Sequence, residues 1–98
     1  VDAVYAFEPI PDTLRKLNLD RYIIGAQGNV WTEYMGNPAK VEYMVFPRMT
    51  ALSEVLWSPK EKKNYADFKR RLQSAIVPRY TFWQANYFRN FEQWTAEK

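Results

Sequence analysis

The chain has 98 residues, 47% hydrophobic and 17% aromatic, a size normal for one domain and a content that argues against a disordered segment. Fourteen basic and 11 acidic residues leave a formal charge of +3 with no strongly basic block, too little to point to nucleic acid. The absence of cysteine and histidine excludes disulfides, thiol chemistry, histidine metal sites and the usual general base at neutral pH.

From the N-terminus, Val1–Phe7 reads as irregular or a short strand, and Pro9 and Pro11 break anything regular before them. Asp12 to Leu17 can form a short helix with Pro11 near its first turn, where a missing N–H costs nothing. Asn18 to Arg21 then turns into a segment led by Tyr22, Ile23 and Ile24, which reads as a buried strand. Beyond it, Asn37 is placed to cap a helix and Pro38 to take its first position. That helix is expected to run to about Trp57, with Val41, Met44, Val45, Met49, Leu52, Val55 and Leu56 on one apolar stripe. Pro47 lies inside it and predicts a kink, and Arg48 beside the stripe needs a partner, for which Glu54 is the candidate. Ser58 and Pro59 stop the helix, and Lys60 to Lys63 reads as a solvated loop.

A second helix is expected from Asn64 as cap, with Asp67 in the first turn where the helix dipole favours it. Tyr65, Phe68, Leu72 and Ile76 give its buried face, and Lys69, Arg70 and Arg71 its wet one. Pro78 kinks or ends it. The aromatic spacing from Tyr80 to Trp94 predicts a further helix that packs, rather than a nucleic-acid stacking platform, because the basic residues there, Arg79 and Arg89, are few. A membrane-surface helix is a weaker reading, and there is no signal peptide and no apolar run long enough to span a bilayer. The expected fold of this piece is therefore mostly α with one short strand. A single strand leaves its backbone donors and acceptors without partners, and the apolar content exceeds what so few elements can hide. Self-association of the isolated chain is the expected consequence.

The stretch Gly25 to Tyr34 carries the candidate chemistry. Gly25 and Gly28 suit close backbone approach or an unusual dihedral. If strand geometry persists, Trp31 and Glu33, at i and i+2, face one side. An indole beside a carboxylate suits a sugar, whose apolar face packs on the ring while its hydroxyls donate to the acid. Read from local pattern alone, a tryptophan after a strand more often packs and a nearby glutamate more often faces water.

The residues GAQGNVWTEYM and EYMVFPRMTALSEVLWS resemble the last strand and last helix of a glycoside hydrolase family 20 β-N-acetylhexosaminidase. The resemblance covers roughly Val4 to Leu72. It implies that residues 1–98 are the C-terminal part of a (β/α)8 catalytic barrel, about a quarter to two-fifths of one of typical size, and a chain that opens on Val1 suits a fragment or processed product. It further implies an N-acetylhexosamine-containing glycan as substrate, no cofactor, no nucleic-acid or membrane partner, and a secreted, periplasmic or lysosomal parent. By resemblance, Trp31 matches the tryptophan that stacks on the terminal sugar, and Glu33 the glutamate that accepts hydrogen bonds from its outer hydroxyls. Neither matches the proton donor. The family uses an adjacent Asp-Glu pair, whose glutamate is the general acid and whose aspartate orients the substrate's attacking acetamido group. No such dipeptide occurs here, and Tyr5 does not match the family's acetamido-binding tyrosine. Gln27, Asn29 and Tyr34 read as satisfied loop or strand-end residues more readily than as polar support for the site. The alternative function is an autonomous helical interaction module, which predicts a stable monomer with cooperative unfolding.

Overall fold

In the computed structural model, which describes residues 1–93, the chain folds as a series of short helices. They are α1 (Asp2–Tyr5), α2 (Asp12–Lys16), α3 (Pro38–Val45), α4 (Arg48–Trp57), α5 (Tyr65–Arg71) and α6 (Val77–Phe82), with single 3-10 turns at Asp20–Tyr22, Lys60–Lys62 and Asn90–Gln93. Two of the predicted caps are in place. The Asn37 side chain accepts from the Lys40 N–H at 2.9 Å and starts α3, with Pro38 at its first position. The Asn64 side chain accepts from the Asp67 N–H at 3.0 Å and starts α5. Each satisfies a donor that the first turn leaves without a helical partner.

Other expectations are corrected by the structure. Val1–Phe7 contains helix α1 rather than a strand. The single helix expected from Pro38 to Trp57 is two. Steric conflict with a following proline ring disfavours helical backbone at Phe46, which is extended at φ −100 and ψ 134, and α4 begins afresh after Pro47. Ahead of Pro78, which has no N–H to give, Leu72–Ile76 widens into a π-helical turn before α6 resumes. The helix expected from Tyr80 to Trp94 stops at Phe82. Gln84 enters the left-handed region at φ 56, and the Ala85 N–H reaches the Tyr80 carbonyl at 2.9 Å, the hydrogen bond of a Schellman cap. Trp94 lies outside the described residues.

The core gathers Tyr5 from α1, Ala51 and Val55 from α4, Phe68 from α5, Leu72, Tyr80, Ala85 and Phe91. Tyr5 stacks on Phe68 with ring centroids 4.8 Å apart, and Tyr80 packs between Phe46 and Tyr87 at 5.0 and 5.1 Å. Around this core the molecule stays open. Its radius of gyration is 15.1 Å, against about 13 Å for a self-sufficient domain of this length. It exposes 7368 Å², against about 5,900 Å² for a folded monomer of this mass. The predicted apolar stripe explains part of the excess: of its seven residues only Val55 is buried, and Met44 and Leu56 are exposed.

Candidate functional site

The segment from Ile23 to Thr32 is not a strand. The chain leaves the Asp20–Tyr22 turn extended at Ile23 (φ −90, ψ 109), and no ladder hydrogen bond follows among the described residues. The physical reason is the lack of a neighbour: a lone extended segment has no adjacent backbone with which to exchange N–H and C=O bonds. Ile24 is consequently 98% exposed rather than buried.

The segment touches the rest of the chain at Gly28. A Cβ there would sit 2.7 Å from the Met49 sulfur and 3.3 Å from its methyl, so any larger residue would have to push the flexible end of the Met49 side chain aside. Gly25 has open space around it, and neither glycine adopts a positive φ, so the predicted close approach holds at Gly28 alone. Val30 and Met35 line a largely apolar cavity of about 280 Å³, whose opposite wall is Met44, Val45, Arg48, Met49 and Leu52. Met44, Val45, Met49 and Leu52 of the α3–α4 stripe therefore face this cavity, whereas Val55 joins the packed core.

Trp31 and Glu33 do not line that cavity; both are exposed, Trp31 at 70%. Extended geometry ends between them. The Met35 N–H bonds the Thr32 carbonyl at 3.1 Å, placing Glu33 and Tyr34 at the two central positions of a turn. Strand alternation therefore no longer assigns the two side chains to one face. They remain two residues apart on an outward loop, and Glu33 makes no hydrogen bond or ion pair among the described residues. Of the polar neighbours, Gln27 donates to Asn29 at 3.2 Å, and Tyr34 is 95% exposed.

The Arg48–Glu54 pair expected from sequence is replaced by other partners. Arg48 donates to the Tyr43 and Met44 carbonyls at 2.9 and 3.1 Å, where α3 ends, and lies over the Phe88 ring at 4.4 Å. Glu54 instead takes a two-pronged contact from Arg71 at 2.6 and 2.7 Å and a hydrogen bond from the Tyr5 hydroxyl at 2.9 Å. The Tyr5 oxygen in turn accepts from the Asn64 N–H at 3.0 Å, so one network joins α1, α4 and α5. Hydrogen bonds from Arg71 hold the Glu54 carboxyl below its usual range, against the opposing effect of partial burial. Burial pushes the Tyr5 hydroxyl up. These are structural shifts, away from the Trp31–Glu33 loop.

A further contact had no signal in the sequence. The Asn86 N–H donates to the Glu42 carboxylate at 2.8 Å, and the Asn86 side chain donates to the Ala39 carbonyl at 3.0 Å, across 44 and 47 residues of chain. Among the described residues there is no group of three or more acidic side chains placed to hold a metal, and no helix long and apolar enough to cross a membrane.

Residues 1–60 match the family model described as Glycosyl hydrolase family 20, catalytic domain. The chain belongs to this family. It is 42% identical over 77 residues, 79% of its length, to a protein of Porphyromonas gingivalis named Beta-hexosaminidase, and covers 10% of that protein. It is 29% identical over 86% of its length to the Beta-N-acetylhexosaminidase of Cellulomonas fimi, and 30% identical over 70% of its length to a Beta-hexosaminidase of Arthroderma benhamiae, covering 16% and 11% of those proteins. The chain thus spans between about a tenth and a sixth of these relatives. No solved structure matches it significantly.

Proposed function

We propose that this chain forms part of a β-N-acetylhexosaminidase with a (β/α)8 catalytic domain, which removes terminal non-reducing N-acetylhexosamine residues from glycans. In this reading the segment Ile23 to Thr32 pairs with neighbouring barrel strands, and Trp31 and Glu33 lie just past its C-terminal end, where such barrels build their active sites. Trp31 gives the apolar face of the sugar a ring to stack on, and Glu33 accepts from the outer hydroxyls. The general acid and the aspartate that orients the substrate's acetamido group lie outside these 98 residues, which contain no Asp-Glu pair. The chain supplies part of the clamp on the sugar, and the chemistry is done elsewhere.

Family 20 membership carries this reading. The outward placement of Trp31 and the lack of any competing partner for Glu33 among the described residues are consistent with it. The test is hydrolysis of a chromogenic N-acetylglucosaminide. The isolated chain is expected to give none. The full-length enzyme is expected to turn it over and to lose about 10- to 100-fold in kcat/KM on Glu33→Gln, the scale of a lost charge-assisted hydrogen bond. A wild-type kcat/KM from that variant would remove Glu33 from the site.

A further inference from the structure

We infer that residues 85–91 form a strap that positions Trp31 and Glu33 through α3, with Glu42 and Phe88 as its positioning residues. The inference rests on the sugar-site reading above and adds to it a part of the chain that lies beyond the family match at residues 1–60.

The loop that carries Trp31 and Glu33 has little structure of its own. It is fixed at one end by Gly28 against Met49 and at the other by the Asn37 cap of α3, four residues after Glu33. Where α3 sits therefore decides where the loop emerges. Yet α3 contains no fully buried side chain, and its link to α4 is broken by the extended Phe46. The strap supplies what the helix lacks. The Asn86 N–H bonds the Glu42 carboxylate, and its side chain bonds the Ala39 carbonyl in the first turn of α3. Two residues on, the Phe88 N–H bonds the Phe46 carbonyl at 2.9 Å, and the Phe88 ring meets the Tyr43 ring edge-on at 5.4 Å. Arg48 closes the arrangement by lying over Phe88 while donating to the last carbonyls of α3. The strap's far end is locked in the core, where Phe91 is 1% exposed. Helix α3 is thus held from its first turn to its last by a segment anchored independently of the loop.

The Glu42 carboxylate is spent on the Asn86 N–H, so its loss should displace the clamp without altering the groups proposed to meet the sugar. The test uses the full-length enzyme and a chromogenic N-acetylglucosaminide, comparing wild type with Glu42→Ala, Glu42→Gln and Glu33→Gln. Glu42→Ala should raise KM by about 3- to 10-fold with kcat within about twofold, the pattern of lost binding. Glu42→Gln keeps an oxygen that accepts from the Asn86 N–H and should stay within about twofold of wild type in both constants. Amide exchange over residues 29–37 should quicken in Glu42→Ala and not in Glu42→Gln. Phe88→Leu, which keeps the backbone bond to Phe46 and loses the ring contacts, should shift KM in the same direction as Glu42→Ala. If Glu33→Gln raises KM and both strap variants leave it unchanged, the sugar site stands and the strap's positioning role is overturned. If the strap variants only lower the thermal midpoint, with KM at the wild-type value, the strap is a structural brace and the inference fails. A wild-type KM and kcat from Glu33→Gln would remove the reading beneath the inference, and the inference with it.

Discussion

Two regions of this chain differ in what they ask of their surroundings. Around Tyr5, Val55, Phe68, Leu72 and Tyr80 the side chains are satisfied within the chain: rings stack, and the hydroxyl of Tyr5 reaches Glu54. From Ile23 to Tyr34 the opposite holds, with Ile24, Trp31 and Tyr34 exposed and no ladder bonds among the described residues. The first region holds the helices together; the second leaves its side chains exposed, and in the proposed reading presents them to partners. Stability and function are therefore expected to respond to different substitutions.

The largest separation should come from the core. Phe68→Ala is expected to destabilise the full-length enzyme by about 3–5 kcal/mol through lost burial and a cavity, seen as a lowered thermal midpoint, whereas Trp31→Ala should move stability by no more than about 0.5 kcal/mol. Equal losses from the two would erase the distinction between the regions. Next, the isolated chain should self-associate in light scattering and bind a hydrophobic dye, because the open segment and the apolar cavity beneath it lack cover. A dye-silent monomer with a sharp unfolding transition would instead favour an autonomous helical module. Of intermediate size is the Glu54–Arg71 pair. Its carboxyl is depressed in the folded state, so its contribution is complete above the unfolded value, near the ordinary 4.5, and fades as pH falls below it. Glu54→Gln should cost about 1 kcal/mol at neutral pH, discounted because Arg71 is half exposed, and the gap to wild type should narrow in acid-unfolding curves. The smallest effect is expected at Tyr65, whose buried hydroxyl has no partner among the described residues and whose pKa burial pushes up to about 12. Tyr65→Phe should leave the thermal midpoint unchanged or slightly raised, since no hydrogen bond is lost.

What could be read from the sequence was what is decided locally. Asn37 and Asn64 sit within three residues of the N–H groups they cap, and both are where pattern placed them. Phe68 and Leu72 likewise follow from helical spacing. The strand does not form as a strand in this chain, because a ladder belongs to two segments and the described residues offer only one. Pro47 acted more strongly than a kink, through its effect on Phe46, and Gln84 ended a helix that aromatic spacing alone would have continued. Glu54 found Arg71, 17 residues away, instead of nearby Arg48, because Arg71 reaches across from α5 with both prongs of its guanidinium and Arg48 is drawn to the end of α3. In the candidate site, the motif marked Trp31 and Glu33, but the turn at Thr32 cancels the alternation that would have given them a common face. The strap from Asn86 to α3 joins residues too far apart for any local pattern to reveal.

Titration calorimetry of the full-length enzyme with N-acetylglucosamine, alongside thermal unfolding, tests most directly whether the open loop binds sugar without supporting the fold. Trp31→Ala and Glu33→Gln should each weaken binding by about tenfold or more while unfolding at the wild-type temperature. Unchanged affinity in both variants, or a thermal midpoint that falls as far as that of Phe68→Ala, would contradict it.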